Sequence, residues 1–456
     1  MSLTSLLSIA RTALLTHQRA VDTTGHNIAN ASTPGYTRQR LALTAEVPLN
    51  TAIGQVGRGV TAEGIERLRD GFLDQHYRRE NGDLGRFSTM KETLGQVEDV
   101  FGEPTSTGLA AGIDDLLSAF GDLANDPSGR TPRTLVRQAA QNLVQQFRQT
   151  DQRLGSIAND VRAKMVDATG QINQLTQQIA DLNVEIRSAN GGLRESPDLK
   201  DKRDVLVDQL SNLAGVRVID RTDGTVGIAA GDALLVDGGQ VTRLEVRDAG
   251  QGRVEVGIQG SGLPINFKSG SLAGLVELSS TTIPGVRDKL NGLVKSIVTE
   301  VNTIHRGGRT LTGGTGVDFF DPTGLTLDSV KVSSAVTLST DNIAAGQTGA
   351  AGDNSNALAI AALRTTGVNS LNGATLGSGY QQIVSELAVA LQDMTSRSEA
   401  QTTITSNADA QRQSVSGVSV DEELTSLITQ QNAYAAAARL VTVADDMIKD
   451  VIGMVR

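Results

Sequence analysis

Apolar residues recur every seven positions at both ends of the chain. The N-terminal line consists of Leu7, Leu14, Val21 and Ile28. The C-terminal line consists of Leu427, Tyr434, Val441 and Ile448. A narrow stripe with this spacing is typical of a helix that packs against a partner helix. We therefore predict that the two terminal helices pair in coiled-coil fashion, although the pattern alone also fits helices packed on an ordinary core.

The charges at the two ends favour this pairing. Residues 1–40 carry four Arg and one Asp, whereas residues 417–456 carry six acidic and three basic side chains. Exposed ion pairs contribute only ~0–1 kcal/mol each, so the bias is weak support. The companion heptad positions are also less apolar. At the N-terminal end they hold Ala10, His17 and Thr24, and at the C-terminal end Leu424, Gln431, Ala438, Asp445 and Ile452.

A helical hairpin is predicted in the middle of the chain. Apolar residues from Leu154 to Ile186 alternate spacings of three and four, as in a long amphipathic helix. Asn190-Gly191-Gly192 ends this pattern, and Ser196-Pro197 is a helix start signal. Because the connection is short, the two helices should run antiparallel.

The period changes from Val216 onwards. Apolar and polar residues alternate between Asp-Gly and Gly-Gly turns up to Phe267, which predicts β-hairpins. Leu41–Leu68 has the features of a shorter β segment, and the Gly/Thr/Ser/Asp-rich stretch Gly307–Gly352 is interpreted as strands and loops. Helix should return near Leu290–Ile304 and at Asn356–Leu363.

These patterns predict a mainly α fold with inserted β domains, in three parts. The terminal helical domain comprises 1–35 and 415–456. The helical-rod domain comprises 36–215, 268–306 and 353–414, with the β segment at 41–68. The outer β-rich domain comprises 216–267 and 307–352.

Composition excludes several classes of function. The net charge is −10 and no run of Lys or Arg stands out, so we expect no nucleic-acid partner. The absence of Cys rules out disulfides and thiolate metal sites. No apolar stretch approaches the ~20 residues of a membrane span, so membrane insertion is not expected. The N-terminus also lacks the basic and apolar regions of a secretory signal peptide.

The sequence offers no local catalytic motif. The histidines are His17, His26, His76 and His305, and none has metal-site spacing. Glycine-rich stretches lack the dinucleotide and phosphate-loop patterns. An aromatic content of 3% argues against a sugar-binding cleft. We expect no catalytic residues, cofactor or metal, although a pair of carboxylates distant in sequence stays open.

A dense turn motif follows the first helix, in "NIANASTPGYTRQ". Gly35 supplies backbone freedom, Pro34 restricts it, and Tyr36 can anchor the turn by packing. This predicts the point at which the chain leaves the terminal helix. The motif resembles that of the flagellar axial family of rod, hook and hook-associated proteins, and "VSVDEELTSLITQQNAYAAAARL" is similar to the family's closing helix. The matching loop residues are Asn27, Asn30, Thr33, Pro34, Gly35 and Tyr36.

The central hairpin and "GDNSNALAIAAL" resemble the hook-associated branch of this family. The resemblance implies a non-enzymatic structural subunit at the junction of hook and filament. Its terminal helices, with the eight heptad residues named above, would pack between copies in the wall of a tube. The implied partners are further copies in a ring, the hook protein on one side, and a second junction protein followed by the filament on the other. A cytoplasmic chaperone would bind the C-terminal region before export.

The resemblance also implies an extracellular location, reached through the flagellar type III apparatus without a cleaved signal peptide. Two alternatives remain. One is a hook-type axial protein with enlarged outer domains. The other is an exported enzyme that cleaves the cell wall, and activity on cell-wall fragments would distinguish it.

Overall fold

The computed structural model describes residues 3–51, 54–102, 108–191, 196–250, 253–350 and 352–454. Residues 1–2 and 455–456 of the predicted terminal domain lie outside them. The helices are α1 (Leu3–Asn30), α2 (Gly71–Phe101), α3 (Leu109–Asn125), α4 (Arg130–Gly191), α5 (Pro197–Ala214), α6 (Ser271–Glu277), α7 (Ile283–Gly307), α8 (Ser334–Leu338), α9 (Ser355–Ala361), α10 (Leu376–Ser416) and α11 (Val420–Met454). The strands are β1 (Gln39–Ala45), β2 (Leu49–Thr51), β3 (Gly54–Val56), β4 (Val60–Arg67), β5 (Val216–Asp220), β6 (Val226–Ala230), β7 (Ala233–Asp237), β8 (Gln240–Val241), β9 (Leu244–Gly250) and β10 (Arg253–Ile258).

The terminal helices α1 and α11 pair antiparallel, which confirms the predicted pairing. His17 Nδ1 lies 2.7 Å from Gln430 Oε1, and Asn27 Nδ2 donates to Glu423 Oε2 at 2.9 Å. The residue numbers therefore rise along α1 as they fall along α11. The antiparallel ribbon β1–β4 lies beside the pair, where the Thr16 hydroxyl is 3.5 Å from the Val60 carbonyl.

Small and polar residues, rather than the large apolar ones, lie at the centre of this contact. Ala10, Ala437 and Ala444 are buried, together with Thr24 and Asn27. Alanine lets two helices approach closely, because helix separation follows the size of the side chains at the contact. The predicted lines flank this centre, since Leu7, Leu14, Val21, Ile28, Leu427, Val441 and Ile448 are half-buried and Tyr434 is exposed. The C-terminal companion line faces outwards at Leu424, Gln431, Asp445 and Ile452.

Helices α2 and α10 pack together along the rod. Ser88 Oγ lies 3.2 Å from Ser398 Oγ, and the Arg412 guanidinium lies 4.0 Å above the Tyr77 ring, so the two helices run antiparallel. Helix α4 contains 62 residues and is about 93 Å long. Helix α5 turns back against it, which confirms the predicted helical hairpin.

The β lobe comprises residues 216–258. Strands β5, β6, β7 and β8 form an antiparallel meander, and β9 pairs with β10. Two asparagines of α4 attach the lobe to the rod. Asn183 Nδ2 donates to the carbonyls of Val226 and Gly238, and Asn173 exchanges two hydrogen bonds with the Leu244 backbone. Because Asn183 is fully buried, the inserted lobe is fixed along α4.

The expectation of strands in Gly307–Gly352 is wrong. Residues 307–350 contain isolated bridges, the short helix α8 and a 3-10 turn, with no named strand. The segment wraps the end of the rod: Asn302 of α7 binds the Phe320 carbonyl, and the Phe319 ring lies 5.1 Å from that of Phe120. Threonine favours strands whereas glycine, serine and aspartate favour turns, so the mixed composition of this segment could not separate strands from irregular loops.

Candidate functional site: the polar joint

Two connections link the terminal helices and the ribbon beside them to the rod. They are residues 68–70 and 417–419, and neither of them is helix or strand. We call α1, residues 31–38, the ribbon β1–β4 and α11 the terminal body. The joint is the contact of this body with α5 and with the adjoining ends of α2 and α10. The predicted loop motif lies at the joint, as expected from its position after the first helix.

Asn27 is the hub that holds the terminal body together. Its Nδ2 donates to the Gln39 carbonyl at 2.8 Å and to Glu423 Oε2 at 2.9 Å. Its Oδ1 accepts from the Tyr36 hydroxyl at 2.8 Å and from the Gln39 amide at 3.0 Å. The side chain is 1% exposed, and both donor hydrogens and the acceptor oxygen are used. One residue thus joins α1, the turn, β1 and α11.

The turn itself rests on α5 through Gly35. This glycine has φ of +78°, and a Cβ added to it would lie 2.1 Å from Val205 Cγ2. Any larger residue would meet both backbone strain and a steric clash. Asn30 and Thr33 close the turn, since Thr33 Oγ1 donates to Asn30 Oδ1 at 3.2 Å and Asn30 Nδ2 donates to the His26 carbonyl.

Tyr36 is anchored on the terminal body. Its ring meets that of His26 edge-on at 5.5 Å, in addition to the hydroxyl bond to Asn27. Burial, followed by the nearby carboxylates of Asp198, Asp201 and Glu423, raises the pKa of Tyr36 above its ordinary value. The phenol therefore stays protonated and remains a donor to Asn27.

An acidic face of α5 receives the terminal body. Asp198 Oδ1 accepts from Gln39 Nε2 at 2.8 Å, and Asp201 Oδ2 accepts from the Thr37 amide at 3.0 Å. Arg67 Nη1 donates to both Asp201 and Asp204, each at 2.8 Å. Arginine and carboxylate groups match in geometry and charge, which orients the contact.

Asp204 lies at the centre of this face, where three arginines surround it. Arg67, Arg69 and Arg78 all donate to its carboxylate. Burial alone would raise the pKa of Asp204, but Arg69, Arg78 and Arg67 outweigh it and hold the pKa well below the ordinary value. The group is therefore charged throughout the physiological pH range.

The ends of α10 and α11 complete the joint. Arg412 binds Asp208 of α5 and stacks on Tyr77 of α2. Arg38 Nε donates to Glu423 Oε1 at 2.7 Å, and the Arg38 amide donates to the Ser416 carbonyl at 2.9 Å. The segment before β1 is thus held to α11 by an ion pair and to the end of α10 by a backbone hydrogen bond.

Sequence reasoning missed the α5 face. The acids Asp198, Asp201 and Asp208 recur at spacings of three and seven, which places them on one side of a helix. This spacing could have predicted the acidic face of α5 from the sequence. Their arginine partners Arg67, Arg69, Arg78 and Arg412 are distant in sequence, so only the fold reveals the pairing.

The joint is suited to mechanical connection. Its carboxylates Asp198, Asp201, Asp204 and Asp208 are bonded to arginine or amide groups of neighbouring elements. Across the described residues, no group of three or more His, Asp or Glu side chains is placed to hold a metal ion. None of the helices described has the length and apolar character needed to cross a membrane.

Comparisons with known proteins agree along the whole chain. A family described as "Flagellar hook-associated protein FlgK helical domain" matches residues 94–320. Families described as "Flagella basal body rod protein" and "Flagellar basal body rod FlgEFG protein C-terminal" match residues 7–37 and 410–454, which contain nearly all of the two paired terminal helices.

Named relatives extend this agreement. Flagellar hook-associated protein 1 of Bacillus subtilis is 30% identical over 493 aligned positions, which cover 98% of this chain and 97% of that protein. The protein of the same name in Escherichia coli is 29% identical over 70% of this chain and 60% of its own length. The flagellar hook junction protein FlgK from Burkholderia pseudomallei has the same fold, with a TM-score of 0.66 over 75% of this chain and all of that chain, at 16% identity. On its likeness to the Bacillus subtilis protein along almost its full length, the chain belongs to the flagellar hook-associated protein 1 family.

Proposed function

We propose that this protein is a structural subunit of the bacterial flagellum and forms the junction between hook and filament, on which filament assembly depends. The observation that carries the proposal is membership of the hook-associated protein 1 family over nearly the full length. The antiparallel terminal pair and the polar joint support it, because they provide a stiff inner element that is firmly attached to an outer rod. As a structural component, the protein acts without catalysis.

In this proposal the terminal helices pack between copies in the tube wall. The single chain leaves apolar residues uncovered along the start of α11, at a spacing of four, with Val420 42%, Leu424 44% and Ile428 58% exposed. A helix that exposes such a stripe requires a further partner. In this proposal the contacts between copies are made by the heptad residues Leu7, Leu14, Val21, Ile28, Leu427, Tyr434, Val441 and Ile448.

Further partners follow from the family. The chain assembles with other flagellar axial proteins: the hook protein on one side and a second junction protein, then the filament, on the other. Before export without a cleaved signal peptide, a cytoplasmic chaperone binds the C-terminal region. The rod and the β-rich lobe form the outer domains, with 1–35 and 415–456 innermost.

Deletion of the gene tests this function. The deletion strain should make hooks that carry no filament and should lose flagellin to the medium, and the intact gene should restore filaments. Filaments of normal length in the deletion strain would contradict the junction role and would favour another axial position.

A further inference from the structure

Two clefts lie on opposite sides of the turn at residues 31–37. One, of about 280 Å³, separates the turn from the end of α10 and is lined by Ser32, Asp208 and Gln413. The other, of about 680 Å³, separates the turn and the end of α1 from α4, and is lined by Asn30 and Leu182. Thr33, Pro34, Gly35, Tyr36 and Val205 line both clefts. The Gly35–Val205 contact therefore lies between the two clefts, with open space on each side.

The turn is bonded to the terminal body and meets the rod close to Gly35. Asn27 binds Tyr36 and Gln39, so the turn is tied at its far end to α1, β1 and α11. On the rod side, Gly35 approaches Val205, and the amides of Thr37 and Arg38 bind Asp201 and the Ser416 carbonyl, so these contacts lie within three residues of Gly35. A displacement of α1 relative to α5 therefore carries the turn towards one cleft and away from the other.

The remaining contacts across the joint can follow such a displacement. Arg67 of β4 reaches both Asp201 and Asp204 from a long side chain, and Arg69 of the connection 68–70 also donates to Asp204. One ion pair can lengthen while another is kept. The two connections 68–70 and 417–419 are irregular, and hinges are commonly built from such residues at the ends of elements.

We propose that the terminal body rocks on α5 about the Gly35–Val205 contact, so that one cleft narrows as the other widens. Because only glycine permits this close approach, the pivot lies directly against the surface of α5. The arginine–aspartate pairs hold the two bodies together at every angle. This device would let the terminal helices change their tilt relative to the rod without breaking the joint, and it does not depend on where the chain lies in the flagellum.

Cysteine pairs test the rocking directly, because the purified full chain contains no cysteine of its own. Ser32→Cys with Gln413→Cys spans the smaller cleft, and Asn30→Cys with Leu182→Cys spans the larger one. Each pair alone should form an intramolecular cross-link with short thiol reagents. In the four-cysteine chain, a cross-link installed across one cleft should lower the yield across the other at least fivefold.

The control is Lys289→Cys with Glu386→Cys, which replaces an ion pair within the rod and should react equally in every background. Two results would overturn the proposal. Cross-links that form across both clefts in the same molecule would show independent loop motion. Pairs that react only with reagents of one fixed length, unaffected by the other cross-link, would show a rigid joint.

Discussion

Asn27 is the residue on which the terminal body depends most. Asn27→Asp keeps the size of the side chain but replaces two donated hydrogen bonds with a carboxylate that faces the Gln39 carbonyl and Glu423. Leaving buried acceptors unpaired costs about 1–3 kcal/mol each. Amide exchange at Tyr36 and Gln39 should therefore become at least about tenfold faster, as measured by mass spectrometry on the full chain.

Asn30→Asp is the matched control for this substitution. Asn30 is half-buried and loses its donation to the His26 carbonyl and a longer contact with His26 Nε2 at 3.5 Å, so exchange should change less than about threefold. Equal acceleration by both variants would show that Asn27 is not the hub.

His305 makes the rod sensitive to acid. It is fully buried: Nδ1 lies 2.7 Å from the Val317 carbonyl, and Nε2 accepts from the Ala344 amide. Burial lowers the pKa of His305 to about 4. The unfolded chain takes up this proton near pH 6.5, so acid favours unfolding. The contribution is fully present above about pH 6.5 and should fall by about 3 kcal/mol as the pH approaches 4.

Denaturant unfolding of the wild type and of His305→Gln at several pH values would measure this. The wild type should lose its stability advantage over the variant between pH 6.5 and 4. A constant difference between the two proteins across that window would contradict a buried neutral imidazole.

At the scale of elements, heptad spacing predicts that α1 and α11 pair but not which residues meet. Large apolar residues marked the stripe, whereas Ala437 and Ala444 occupy the contact. Hydrophobicity alone predicts leucine rather than alanine at a buried position of a helix. Where two helices approach closely, the smaller side chain of alanine is favoured instead. The irregular segment 307–350 was missed for a related reason, since its fold is fixed by Phe319, Phe320 and Asn302, which come together only in the tertiary structure.

A charged substitution tests which residues of α11 face a partner helix. Val441 is half-buried beside the pair, whereas Thr442 is exposed and its hydroxyl donates to the Arg439 carbonyl of its own helix. Val441→Asp places a carboxylate where an apolar partner packs, which costs several kcal/mol. We expect the fraction of hooks that carry filaments to fall at least about tenfold, with unchanged circular dichroism of the rod.

Thr442→Asp should be milder, because that position lies off the contact. Electron microscopy of complemented deletion cells gives the fraction of hooks with filaments for both variants. Normal filaments with Val441→Asp, or equal damage by Thr442→Asp, would contradict the register.

At the scale of the whole molecule, the sequence predicts the order of the parts better than their contacts. The terminal pair, the helical hairpin and the β lobe at 216–258 could be predicted because each has its own local period. The joint could not, because Asp204 and its arginines Arg67, Arg69 and Arg78 lie more than 100 residues apart. The turn motif indicated where the joint is, and the fold shows what it joins.

The position of the chain in the flagellum tests the central claim most directly. An epitope tag inserted between β9 and β10, two strands of the β lobe, can be located by immunogold labelling of isolated flagella. The account predicts one narrow band of gold at the boundary between hook and filament. Gold along the whole hook would identify a hook-type protein, and flagella without gold beside secreted tagged protein would contradict the structural role.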